Sequence, residues 1–230
     1  MSETNSSDLR VPMADVARFV RQLSHDLRNQ LNAAELQSAY LKEIASDAEI
    51  KDEVQRLRGM LGEMSTALQR LTGSLATPKL TEMSYESKAL LEDFEAKVRT
   101  EFPENSAEIE WDVNVGESVV SIDPQLFLQS LLHLVGNAFQ HARGSGPIKI
   151  SANANGELRI AVTEPKTGFA ESTAAWGREP FRNLKHGHYG LGLHRVRNII
   201  EAHRGQIEAR NDSASSSLVT IIVLPLVEQN

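Results

Sequence analysis

A chain of 230 residues is long enough for two modest domains, and its formal net charge of −7 argues against general affinity for nucleic acid. Hydrophobic residues at 40% can bury a real core, while 24% charged and 5% aromatic residues suit a helix-rich soluble protein. There is no cysteine, which excludes disulfides and thiolate chemistry and is compatible with a reducing cytoplasm.

Residues 1–12 are polar, lack the basic and apolar regions of a signal peptide, and read as a flexible tail. A first helix is expected from Met13 to Ala45. Its apolar residues Val16, Val20, Leu23, Leu27, Leu31 and Ala34 recur at three- and four-residue steps, the mark of one buried face. At about 100° per residue, His25 falls nearly opposite that stripe, and Asn29 shares its face one turn on. Asp47 reads as the cap of a second helix, on which Val54, Leu57, Leu61, Met64, Leu68, Leu71 and Leu75 keep an unbroken 3-4 alternation. Two long single-stripe helices bury both stripes best when two hairpins pair, so residues 13–76 are expected to form a four-helix bundle in a homodimer.

Residues 77–84 read as a linker. Beyond it, a helix is expected from Tyr85 to Glu101. Alternating Ile109, Trp111, Val113 and Val115 predict a half-buried strand, followed by a short one over Val119–Ile122. Asp123 and Pro124 open a Leu-rich helix to Ala142. Two strands flank a turn at Asn155 and Gly156. After an irregular stretch come a helix from Leu191 to His203, ended by Gly205, and two last strands. The most apolar run, Leu218 to Val227, is too short to span a membrane. The expected fold class is α+β: the helical hairpin, then an α/β sandwich over residues 85–230 with helices on one face of an antiparallel-rich sheet.

Several stretches carry a likeness. SHDLRNQLN, residues 24–32, resembles the H-box of two-component histidine kinases. That likeness implies a phosphoryl-accepting His25, an assisting base in Asp26, and a role for Asn29 in dephosphorylating a response regulator. Gln30 stands where the family often has proline, so the helix should run straighter. LLHLVGNAFQHA, residues 131–142, resembles the N-box of the superfamily that joins histidine kinases, gyrase and Hsp90. It implies that Asn137 ligates the Mg²⁺ that bridges nucleotide phosphates, with His141 nearby. The family usually has asparagine at His133 and a basic residue at Gln140. GHYGLGL, residues 187–193, resembles the G2 box, in which Gly190 and Gly192 let backbone N–H groups approach phosphate at a helix N-terminus. Arg178 to Phe181 resemble the F-box, and Lys185, His186 and His188 would lie in the lid over the phosphates.

The G1 box, Asp-x-Gly-x-Gly in the family, is altered to Glu164-Pro165-Lys166-Thr167-Gly168. Glu164 would be the acceptor for the adenine amino group, displaced by its extra methylene, and only Gly168 survives of the two glycines. The order of the boxes implies a cytoplasmic histidine protein kinase that uses ATP and Mg²⁺ to phosphorylate His25 and passes the phosphoryl group to a response-regulator receiver domain. A separate sensor protein is a further partner of that reading, and neither nucleic acid nor membrane is. Two alternatives remain open: a histidine phosphotransferase whose second domain no longer binds ATP, and a non-enzymatic dimeric scaffold for receiver domains.

Overall fold

The computed structural model describes residues 12–140, 143–166, 173, 176–178, 190–212 and 215–227, with residues 13, 14 and 70 described for backbone only. The chain divides into two units, Met1–Ala76 and Thr77–Asn230. Among the described residues, no helix is long and apolar enough to cross a membrane.

The first unit is a helical hairpin of α1 (Met13–Ile44) and α2 (Ala48–Leu75). Helix α1 runs uninterrupted through Gln30, as the missing proline there predicts. At the connection, Asp47 accepts a hydrogen bond from the Glu49 N–H at 2.7 Å, which satisfies one of the free donors at the start of α2. Lys42 donates to Gln55 across the hairpin at 2.7 Å.

The two helices cover only part of the rows the apolar pattern suggests. On α1 the covered residues include Val16, Ala17, Val20, Ser24, Leu31 and Ser38, with Ser24 and Ser38 fully buried. Small residues at seven-residue spacing let the helices approach closely. Leu23 and Leu27 of the expected stripe stay 45% and 40% exposed. On α2, Val54, Leu61, Leu68 and Leu75 turn inward, whereas Leu57 and Met64 remain outside. One hairpin thus leaves Leu23, Leu27, Leu36, Leu57 and Met64 exposed.

The second unit holds β1 (Met83–Glu86), α3 (Ser87–Glu101), β2 (Ile109–Asn114), β3 (Val119–Ile122), α4 (Pro124–Gln140), β4 (Ile148–Ala154), β5 (Glu157–Pro165), α5 (Gly192–Ala202), β6 (Gln206–Asp212) and β7 (Ser217–Pro225). Five strands make one sheet in the order β2-β4-β5-β7-β6; the β2–β4 pair is parallel and the rest antiparallel. Strands β1 and β3 form a separate antiparallel ribbon. The core lies between the sheet and the helices, where Leu90, Phe94, Phe127, Leu131, Val135 and Ile200 meet Ile148, Ile150, Leu158, Ile160 and Ile222.

Two boundaries differ from expectation. Met83–Glu86 form a strand where the end of a linker and the start of a helix were expected, because Tyr85 pairs with Val120 of β3, a contact 35 residues away in sequence. At the end of α5 the left-handed residue is Arg204 (φ 61°), not Gly205. Gly205 is required by space: a Cβ there would stand 2.7 Å from both Leu224 Cδ2 and the Val223 carbonyl.

Candidate active site

The first cluster lies on α1. The His25 side chain is 67% exposed and Nδ1 lies 3.2 Å from Asp26 Oδ1. A carboxylate only accepts, so this contact calls for a proton on Nδ1, and in the neutral ring that leaves the lone pair on Nε2. Gln22 donates to the same Asp26 oxygen at 3.1 Å, which orients the carboxylate. The Asn29 side-chain nitrogen is placed 3.5 Å from His25 Nδ1. With Nδ1 protonated, two donors would face each other, so the amide belongs the other way round, its oxygen toward the ring. His25, Asp26 and Asn29 are thus together on one exposed helix face.

The second cluster lies in the second unit. Asp123 caps α4, its Oδ1 accepting from the Leu126 N–H at 3.0 Å and its Oδ2 from the Thr81 N–H at 3.0 Å. Buried His203 holds the same corner: Nδ1–H donates to the Ile199 carbonyl at 2.7 Å, and Nε2 accepts from the Asp123 N–H at 2.9 Å. Helix α4 carries Asn137, half-buried, on a face shared with His133. That face borders an open groove of about 680 Å³ whose lining includes Phe102, Leu128, Leu132, His133, Gly136 and Asn137.

Gly190 takes a left-handed φ of 63° just before α5. Gly192, the first residue of α5, lies directly against the His133 ring: a Cβ there would stand 2.1 Å from Nε2. The two glycines and the Asn137 helix are therefore assembled around one helix N-terminus.

Glu164 ends the buried row of β5, after Leu158, Ile160 and Val162. Its carboxylate is 2.6 Å from Lys166 Nζ, with only 7% and 5% of the two side chains exposed. Burial pushes the Glu164 carboxyl above its ordinary value, opposed by the Lys166 ammonium and by Arg143. Read from sequence, Lys166 is only a lost glycine; an i, i+2 pair on the core face of a strand becomes visible once both faces of that strand are known. Arg197 also escapes a pattern reading. Its guanidinium, on the buried side of α5, donates to the carbonyls of Trp176 and Ile207, both at 3.0 Å, and so ties the loop ahead of the expected F-box to the core. His141, Gly168, Lys185, His186, His188 and residues 179–181 lie outside the described residues.

Residues 122–228 match the family of histidine kinase-, DNA gyrase B- and HSP90-like ATPases. The sensor-like histidine kinase SenX3 of Mycobacterium tuberculosis is 26% identical over 91% of this chain and 54% of its own length. The nitrogen regulation protein NtrY of Azorhizobium caulinodans is 26% identical over 90% of this chain and 28% of its own. The chain thus spans about half the length, or less, of these curated relatives. A similar fold occurs in the full-length ShkA structure in complex with AMPPNP, with a TM-score of 0.66 at 20% identity over 93% of this chain and 46% of that one. Residues 122–228 thus match the ATPase family of histidine kinases, gyrase and HSP90, and the chain as a whole is similar to histidine kinases in sequence and to one of their solved structures in fold.

Proposed function

We propose that the chain is a two-component histidine protein kinase that carries a phosphoryl group on His25 Nε2 and hands it to a receiver-domain aspartate. The observation that carries this reading is the His25–Asp26 contact. Because Nδ1 holds the proton, Nε2 forms its bond to phosphorus without first losing one, and the carboxylate steadies the positive ring that results. Asn29, one turn away, is the group to orient a water at the acyl phosphate of a docked receiver. The half-exposed apolar faces of α1 and α2 support a homodimer through residues 13–76.

The residues of the second unit fit Mg-ATP at its phosphate end. Asn137 offers a neutral oxygen to a hard cation, and Gly190 and Gly192 open backbone N–H groups at the start of α5. When bound, Mg-ATP would supply the phosphoryl group. At the base end Glu164 is the acceptor of this reading, and its carboxylate is paired with Lys166. That pair favours one second reading, in which His25 is a relay charged by a phosphorylated receiver rather than by ATP.

Labelled Mg-ATP and a labelled phosphorylated receiver, each offered separately, distinguish the two sources. Acid-labile, base-stable label is expected on the unmodified chain and none on His25→Gln from either source. Label that persists in the variant would remove His25 from the mechanism.

A further inference from the structure

Glu164 and Lys166 stand two residues apart, so both side chains leave the same face of their strand. That face is the buried one. The backbone between them is held on two sides: the Gly144 N–H donates to the Pro165 carbonyl and the Lys166 N–H to the Ser216 carbonyl, both at 2.9 Å. A Cβ on Gly144 would stand 3.0 Å from this backbone, so it has no slack on that side. The ammonium is therefore delivered to the carboxylate by a fixed main chain, and only rotation of the Lys166 side chain can withdraw it.

The consequence for a ligand is competition. A purine amino group is neutral, whereas Lys166 offers a charged donor, and charge-assisted hydrogen bonds are about twice as strong as neutral ones. We propose that Lys166 is an internal competitor for the base-recognition carboxylate, so that nucleotide affinity is set by how readily the Glu164–Lys166 pair opens. This rests on the reading of Glu164 as the base acceptor. It adds that the departure at position 166 is an occupied contact and not merely an absent glycine. Lys166 acts here as a specificity-determining residue: a base that cannot displace an ammonium is refused, whatever the phosphate end can hold.

Calorimetric titration of Mg-ATP into the whole chain tests this with four variants. Lys166→Gly removes the ion-pair partner from the carboxylate, leaving Arg143 as it is, and Lys166→Met does so while keeping the apolar stem, should the glycine variant fail to fold. Both are expected to tighten binding on the order of tenfold to a hundredfold, the worth of one buried hydrogen bond. Lys166→Arg keeps a cation on Glu164 and is expected to bind as weakly as the unmodified chain. Equal affinity in all of these, whether uniformly tight or undetectable, would overturn the competition. Adding Glu164→Gln to Lys166→Gly separates the underlying reading. If that double variant binds as tightly as Lys166→Gly, Glu164 is not the base acceptor, and the proposal falls with that assignment. If it loses the gain, both stand.

Discussion

At the scale of single residues, the His25 cluster is local chemistry. Histidine, acid and amide fall within five positions of one helix, so helical geometry alone brings them together. Asn29→Ala is expected to slow dephosphorylation of a partner receiver several-fold while leaving transfer from His25 largely intact, measured by following label on both proteins; equal loss of both would mark a structural role. Glu164 was legible as a departure from a motif, yet its pairing was not, because burial of the strand face is a tertiary fact. Its carboxyl is raised above 4.5 by burial. A carboxyl raised by folding binds more protons in the folded state, so its stabilising contribution is full below the unfolded value and is lost as pH rises through the folded one. Denaturant titrations at a series of pH values should therefore show stability falling above about pH 4.5 through this group, and Glu164→Gln should remove that part of the slope. Asp123 works in the opposite sense. Burial would raise it, but the Thr81, Leu126 and Gln125 N–H groups outweigh that and lower it, so its contribution fades only in acid.

At the scale of elements, the heptad steps of α2 were readable, but the division of its stripe was not. Leu61 and Leu68 are partly covered within the hairpin while Met64 stays 58% exposed, a division that the 3-4 spacing alone does not set. The outer row is therefore the sharper probe of self-association. Met64→Glu leaves the hairpin contact alone and places a charge where a second hairpin would pack; light scattering should show a dimer for the unmodified chain and a monomer for the variant. A monomer in both would refute the bundle. The strand pattern of β4 and β5 was plain because alternation and the turn at Gly156 (φ 74°) agree. Strand β1 was hidden because four residues carry too little pattern, and its partner lies beyond an intervening helix and strand. The close of α5 misled for another reason: glycine after a helix usually supplies a positive φ, whereas Gly205 supplies room.

At the scale of the whole molecule, the main hydrophobic cluster among the described residues lies within the second unit, from Leu90 to Leu224. A fragment of residues 77–230 should therefore unfold cooperatively by itself, with a Tm within a few degrees of the corresponding transition in the full chain, by calorimetry. A fragment without a cooperative transition would show that the hairpin is needed to hold the sheet together. The bipartite plan was legible from the change of period between α2 and the strands, and the order of motifs placed the ATPase-like unit second. The short ribbon at the edge of that unit has a mechanical meaning. Val120 pairs with Tyr85 on one side and bridges to Leu226 on the other, and the Val227 N–H donates to the Val119 carbonyl at 2.8 Å. The unit's incoming and outgoing segments thus leave from opposite edges of one strand, about 10 Å apart at the usual strand spacing. One short strand thus fastens both the segment that enters the unit and the segment that leaves its last strand, like a clasp across the two.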